Sequence, residues 1–258
     1  MYLNKQVHYW NEGNAFFLLQ VTMQDTLIGI LVFLGKMLND GGDVLNKFLK
    51  ITLGVLGVIL LGIGLLVVAF VLEMKPDKDE EEKIKIQAEQ YLEDKFNDNF
   101  EVYDTLYDNI GNFGFEYAAK VRDKKDKTEF LVYYDNETEQ IVDTYIADKW
   151  GDDLETEIRP FIKENFGKAT DFHVFIINDK IGQELGIDPV NPKSYKEFDV
   201  APTIRITVHQ KRSDRDEKIL NEFISFLKSE DKLQNGSVIM EYIAENGVIL
   251  DDEWGKEF

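Results

Sequence analysis

The chain has 258 residues, no cysteine and a formal net charge of −20, with 29 Lys and Arg against 49 Asp and Glu. A charge of this sign repels phosphate backbones and disfavours nucleic acid as a partner. Two interpretations stay open: the charge fits a basic protein partner, or it merely keeps the domain soluble. The absence of cysteine excludes disulfides, thiolate catalysis, iron–sulfur clusters and cysteine-ligated zinc. The first 73 residues are nearly neutral, so almost all of the negative charge lies downstream of them.

Residues 51–72 form an uninterrupted apolar run in which Thr52 is the one polar side chain. A helix of this length spans roughly 33 Å, which matches the hydrocarbon core of a bilayer. The run begins far from residue 1, and no Ala-x-Ala-like site follows it, as a cleaved signal peptide would require. The pattern therefore predicts a retained transmembrane helix.

A second apolar stretch, residues 15–38, lies within the N-terminal segment 1–50 and contains Asp25 near its middle. A central Asp costs about 2.5 to 3.5 kcal/mol on insertion, which nearly balances the gain from the apolar residues around it. Two interpretations follow. The stretch is either a second membrane span or an amphipathic helix in the bilayer interface.

Lysines are about as frequent before the predicted span as after it. The positive-inside rule therefore leaves the orientation open. A short cytoplasmic head followed by a large exported domain is a common design for such anchors. We accordingly predict a cell-membrane protein whose C-terminal region is extracytoplasmic.

Residues 77–167 are predicted to form a first α+β lobe. Apolar residues at helical spacing predict a helix from Ile84 to Phe96, after an acidic first turn. An antiparallel meander and a second helix should follow, the helix beginning at Asp152 or Asp153 and kinked or divided at Pro160. The predicted strands cover residues 100–107, 113–121, 130–134 and 139–146.

Residues 168–258 are predicted to form a second α+β lobe, with the division near Gly167. Alternating or continuous apolar residues predict strands over 172–177, 204–208 and 238–243, and Ser213 should open a helix. The acidic tail, residues 251–258, is predicted to be frayed. The fold class is thus α+β: an N-terminal transmembrane helix followed by lobes of helix plus antiparallel meander.

The first lobe resembles the small PepSY-like and cystatin-like domains on membrane proteins and lipoproteins of Gram-positive bacteria. The resemblance rests on the helix Ile84 to Phe96, the strand Phe130 to Tyr134 and the segment from Asp135 to Trp150, in which Asp143 and Tyr145 follow the turn. Domains of this group are largely non-catalytic. The resemblance therefore implies binding or inhibition of partners at the cell envelope.

Candidate catalytic groups are few. His173 and His209 fall on the polar sides of their strands, where they would either approach each other or stand as separate exposed histidines. The sequence contains no Gly-x-Ser-x-Gly, no glycine-rich phosphate loop and no His-Glu-x-x-His. We therefore predict a non-enzymatic protein without catalytic, cofactor-binding or metal-binding residues.

The first lobe is rich in aromatic residues, and four of them form the predicted partner surface: Tyr133, Tyr134, Tyr145 and Trp150. Tyr133 and Tyr134 must face opposite sides of the sheet because successive strand residues alternate. One of them therefore points away from the helix-covered side. It either contributes to a partner-binding surface or is covered by the second lobe.

These patterns favour a membrane-tethered binding protein whose acidic extracytoplasmic domain engages an envelope or secreted protein, in an immunity, exclusion or regulatory role. The alternative is a structural subunit of a membrane-spanning secretion or conjugation assembly, in which residues 1–50 make contacts inside the bilayer.

Overall fold

A computed structural model describes residues 32, 47–73, 75–96, 99–167 and 171–258. The chain divides into two units, one from Leu3 to Pro76 and one that contains Asp77 to Phe258. Of the predicted helix over residues 15–38, only Val32 is described, and it is helical and exposed. Asp25 lies outside the described residues.

The N-terminal unit contains the helix α1, Lys47–Glu73. Its segment Thr52–Phe70 has a mean hydropathy of 2.9, and none of it is buried within the protein. A helix that is apolar on every side and uncovered by protein has the length and composition needed to cross a membrane. The predicted helix over residues 51–72 is confirmed as a helix of that kind.

The first sheet follows the helix α2, Lys78–Lys95, and is an antiparallel meander in the order β1-β2-β3-β4. Asp77 caps α2, because its side chain accepts the backbone N–H of Asp79 at 2.8 Å. Ile84, Ala88 and Leu92 lie on the buried side of this helix. The strands are β1 Phe100–Tyr107, β2 Tyr117–Asp123, β3 Glu129–Asp135 and β4 Gln140–Asp143.

The helix α3, Tyr145–Asn165, connects the first sheet to a second sheet in the order β5-β6-β7-β8. Strands β6 and β7 are parallel, and the helix between them is the crossover, whereas the two outer pairs are antiparallel. The elements of this half are β5 Asp171–Phe175, α4 Ile181–Glu184, a 3₁₀ helix Tyr195–Glu197, β6 Thr203–Val208, α5 Asp214–Ser229, β7 Ser237–Ile243 and β8 Ile249–Glu257.

One continuous core joins the two sheets, and α3 runs through it. Every fourth residue of this helix from Ile146 to Ile162 is buried. The helix contacts β3 of the first sheet, β5 of the second sheet and α5. The predicted boundary near Gly167 falls between the two sheets, and both halves belong to one compact unit.

The predicted start of α3 is wrong. The helix begins at Tyr145 and not at Asp152 or Asp153, and the preceding strand β4 ends at Asp143 instead of residue 146. The Asp143 carboxylate accepts the backbone N–H of Tyr145 at 2.9 Å, which satisfies a donor at the first turn. Pro160 does not divide the helix, because the residues around it are held in the core.

The segment before β2 differs from the predicted strand over residues 113–121. Residues 108–116 form a loop, and β2 begins at Tyr117. The Asp108 carboxylate accepts the backbone N–H groups of Ile110, Gly111 and Phe113 at 3.2, 3.1 and 2.6 Å. The bond from Phe113 occupies a donor of the predicted strand, and all three bonds hold the segment in a loop, so the alternation of aromatic residues here does not produce a strand before Tyr117.

The acidic tail is not frayed, and that prediction is wrong. It forms β8, which pairs with β7, and Phe258 exchanges backbone hydrogen bonds with Gly236 at 3.0 and 3.2 Å. The indole of Trp254 donates to the Tyr242 hydroxyl at 2.9 Å. Burial raises the pKa of Tyr242 to about 12, so this hydroxyl stays protonated and donates to Asp216 at 3.0 Å. The acidic side chains of β8 point into solvent while its backbone is held.

Removal of residues 254–258 should lower the free energy of unfolding by about 3 kcal/mol or more, because it removes the Trp254 contact and the last ladder bonds. Urea denaturation of the detergent-solubilised chain, followed by circular dichroism, measures the change. Ile249→Ala is the control, since Ile249 is 75 % exposed and should change stability by no more than about 0.5 kcal/mol. Equal stability of the truncated and intact chains would contradict the strand assignment.

Candidate functional site: an open strand face

Three of the four aromatic residues predicted to form a partner surface are buried. Tyr133 is 4 % exposed, Tyr145 is 3 % exposed and Trp150 is fully buried, whereas Tyr134 is 42 % exposed. Because α3 begins earlier than predicted, Tyr145 and Trp150 lie on the buried side of a helix and not on a strand or its turn. The structure therefore corrects this predicted surface and leaves Tyr134 as its one exposed member.

Tyr133 points away from the side of the sheet on which Val132 and α2 lie. Its hydroxyl donates to Asp179 at 3.1 Å, and its ring lies 4.6 Å from that of Phe115. Burial and the nearby Asp179 carboxylate raise the pKa of Tyr133, so the hydroxyl remains a donor at neutral pH. Tyr133 is therefore covered, by Phe115 of the first lobe and by Asp179 of the second lobe.

The second sheet has one side that is open to solvent. Residues paired across a sheet share a side, so the register assigns each strand three residues of this surface. We call it the polar strand face. It consists of Asp171, His173 and Phe175 of β5, Thr203, Arg205 and Thr207 of β6, Ser237, Ile239 and Glu241 of β7, and Glu253, Gly255 and Glu257 of β8.

No residue of the polar strand face is buried, although strand residues between them, such as Ile204, Ile206 and Met240, are completely buried on the other side. Phe175 and Ile239 do not belong to the hydrophobic core of the described residues. The first sheet is different, because Ala119 and Val132 on one side and Leu131 and Tyr133 on the other are all buried. The second sheet is thus the one with an accessible side.

The polar strand face is acidic. Arg205 is its one Lys or Arg, against Asp171, Glu241, Glu253 and Glu257, which gives a formal charge of −3 with neutral His. The Arg205 guanidinium pairs with Glu241 and lies 3.4 Å from Glu253. Thr207 also donates to Glu241 at 3.0 Å. The cation is therefore already neutralised within the surface, and the remaining charge is negative.

The two histidines are not brought together. Arg205 is the residue opposite His173, and His209 lies four residues further along that strand direction, beyond the end of β6. His209 contacts the Ile243 carbonyl at 2.7 Å through Nδ1 and the Asp171 carboxylate at 3.4 Å through Nε2. The two histidines are separate, as one alternative predicted, but both are partly buried and not exposed.

The free edge of β5 is closed by Glu155 of α3. Its Oε1 accepts the backbone N–H of Val174 at 3.1 Å and lies 3.3 Å from His173 Nδ1. Arg159 donates to the other carboxylate oxygen at 3.4 Å. Since an edge strand with free donors invites further strand pairing, this buried carboxylate protects the edge while leaving the polar strand face open.

A cavity of about 140 Å³ lies near the 3₁₀ helix and the turn before β7. Two residues that line it, Lys196 and Lys232, form salt bridges with the Glu157 carboxylate of α3 at 2.9 and 3.0 Å. Burial raises the pKa of Glu157, but the two lysines outweigh that effect and hold the pKa below its ordinary value. The three charges are paired with one another, so the cluster joins α3, the 3₁₀ helix and the turn before β7.

Within the described ranges, no group of three or more His, Cys, Asp or Glu has the arrangement of a metal site.

Three of the four strands that form the polar strand face, β5, β6 and β7, were predictable from the sequence. The alternation of Ile204, Ile206 and Val208 with Arg205 and Thr207 indicates one polar side. The same alternation occurs whether that side meets solvent or another polar layer. The contribution of β8 was missed because its acidic residues are typical of a disordered tail.

No family model and no curated protein matches the sequence. Among solved structures, the crystal structure of a DUF5037 family protein from Ruminococcus gnavus has a TM-score of 0.38 and is 15 % identical, with 62 % of this chain and 75 % of that chain covered. A TM-score below 0.5 does not establish a shared fold. The resemblance of the first half to PepSY-like and cystatin-like domains stays a prediction.

Glu155→Ala should lower the free energy of unfolding by about 1 to 3 kcal/mol, because it leaves the buried Val174 N–H without its acceptor. Glu155→Gln retains a carbonyl oxygen for that bond and should cost less than half as much. Urea unfolding of the three chains measures the difference. Equal losses in the two variants would show that charge, and not the hydrogen bond to β5, is what Glu155 supplies.

Proposed function

We propose that this protein is a membrane-tethered, non-enzymatic binding protein whose acidic domain engages a basic envelope or secreted protein through the polar strand face. The observation that carries the proposal is the accessibility of one side of a four-stranded sheet whose other side is buried along β5, β6 and β7. A regular sheet surface of this kind presents fixed side chains at low entropic cost.

The composition of the surface supports a protein partner. Ile239 and Phe175 supply partly exposed apolar area. Thr203 and Thr207 supply hydroxyl groups. Glu253 and Glu257 are exposed on the edge strand β8. Interfaces commonly combine an apolar centre with a polar rim. The net negative charge selects a basic partner by attraction and disfavours anionic surfaces.

The tether is supported by α1, whose apolar segment Thr52–Phe70 contains no buried residue. Three residues, Met74 to Pro76, connect that helix to Asp77, where the compact unit begins. A domain tethered by so short a connection samples partners close to the membrane surface. We extend the proposal to a domain outside the cytoplasm, where envelope and secreted proteins are found.

Photo-crosslinking in the encoding organism tests the proposal. A benzoylphenylalanine side chain is incorporated at Ile239, in the centre of the polar strand face, or at Ile86, which is 47 % exposed on α2 and distant in the sequence. We expect an adduct with a basic protein from position 239 and none from position 86. Adducts of equal yield at both positions would indicate non-specific contact.

A charge-reversal pair shows whether the surface itself binds. Glu253→Lys with Glu257→Lys should weaken binding of the captured protein at least about tenfold, since two attractive contacts become repulsive. Glu89→Lys with Glu93→Lys is the matched control, because both residues are exposed on α2 and the change in net charge is identical. Titration of the purified partner against the full chain in nanodiscs measures both. If both pairs of substitutions weaken binding equally, the overall charge of the domain explains the effect, and a specific site is contradicted.

A further inference from the structure

The loop between β1 and β2, residues 108–116, presents apolar side chains to solvent. Ile110 at its tip is 69 % exposed, and Phe113 is partly exposed. Residues 109–115 contain no charged side chain, although 30 % of the whole chain is charged. The loop thus combines an exposed apolar tip with an uncharged sequence.

The conformation of this loop is fixed by the domain. The Asp108 carboxylate, 8 % exposed, accepts three backbone N–H groups of the loop, and the Asp108 N–H donates to the Glu116 carbonyl at 2.8 Å. Phe113 stacks on Phe115 with ring centroids 5.2 Å apart. Gly111 has a φ of 74°, which favours glycine at this turn. The exposure of Ile110 is thus built into the fold.

The loop begins at the end of the sheet where the domain meets its tether. The hydroxyl of Tyr117, the first residue of β2, accepts the backbone N–H of Asp77 at 2.9 Å. Tyr117 pairs with Tyr107, the last residue of β1, so the loop leaves the sheet directly beside this contact. Asp77 is seven residues from Phe70, the last residue of the apolar segment.

Chain length limits how far this end of the domain can lie from a bilayer. The helical residues 71–73 and the extended segment from residue 74 to Asp77 together span at most about 20 Å. Asp77 must therefore stay within roughly that distance of the hydrocarbon core when α1 crosses it, whatever the orientation of the chain. Many lysines and carboxylates on the rest of the surface disfavour contact with lipid, whereas residues 109–115 do not.

The geometry points to a second membrane contact: the loop Asn109–Phe115 inserts Ile110 and Phe113 into the interface of the bilayer that holds α1. The inference rests on the membrane tether of the proposed function. With two points of attachment, the acidic domain is held in one orientation at the membrane, and the polar strand face is presented in a constant direction. The partner that this loop contacts is a lipid surface and not a protein.

Spin labelling tests the contact, and the absence of cysteine allows single labels in the full chain. Asn112→Cys labels the loop and preserves Ile110 and Phe113, and Asn246→Cys labels the exposed turn between β7 and β8 as the matched control. Leu61→Cys labels the centre of α1. Each chain carries one nitroxide and is reconstituted in phosphatidylcholine vesicles, where collision with oxygen reports lipid and collision with a nickel chelate reports water.

We expect the labels at positions 61 and 112 to collide more with oxygen than with the nickel chelate, and the label at position 246 to show the opposite order. Ile110→Asp in the Asn112→Cys chain should return position 112 to the order seen at position 246. If position 61 reports lipid but position 112 reports water, the loop contact is overturned and the tether stands. If position 61 reports water, both the loop contact and the tether of the proposed function are overturned.

Discussion

The burial of α3 is the interaction on which the rest of the soluble unit depends. A row of residues from Ile146 to Ile162 contributes to a single core, and the helix contacts a strand of each sheet. Helix α2 packs on the first sheet, and α3 joins that sheet to the second one in the same core. Loss of a central side chain of this row, such as Ile158, would therefore cost about 2 to 5 kcal/mol and weaken both halves together.

The position of α3 also explains why the two sheets differ in accessibility. Its polar residues contact the second sheet at the edge of β5, where Glu155 binds the Val174 N–H. Helix α5 covers the inner side of that sheet with Leu220, Phe223 and Leu227. No residue of the polar strand face is buried, so the surface remains available. In the first sheet, buried residues lie on both sides of β2 and β3.

The two proposed contacts have different chemistry and lie on different parts of the domain. The polar strand face carries a negative charge and suits a basic protein, whereas the β1–β2 loop is uncharged and suits lipid. A tether alone leaves a domain free to rotate, and the proposed loop contact would restrict that rotation. The proposed orientation matters because binding partners at a membrane meet a surface only when it faces them.

Local patterns were sufficient where one physical effect dominated. The apolar run of α1, the Ser213 cap of α5 and the alternation of β6 were predictable from sequence, because hydrophobic periodicity and capping act over a few residues. The start of α3 was also encoded, since Ile146, Trp150 and Leu154 continue the four-residue spacing upstream. It was missed because residues 139–146 also fit a strand, and a short apolar segment does not distinguish the two.

The sequence by itself determined the class of the protein: an apolar helix of membrane-spanning length followed by an acidic α+β region. Tertiary structure decided which surfaces are exposed. Tyr133 and Trp150 are buried by partners distant in the sequence, Asp179 and the Lys193 carbonyl, which hydrogen-bond to them. The acidic tail forms the strand β8 because its backbone pairs with that of β7. Such pairings depend on residues far apart along the chain, and no local pattern records them.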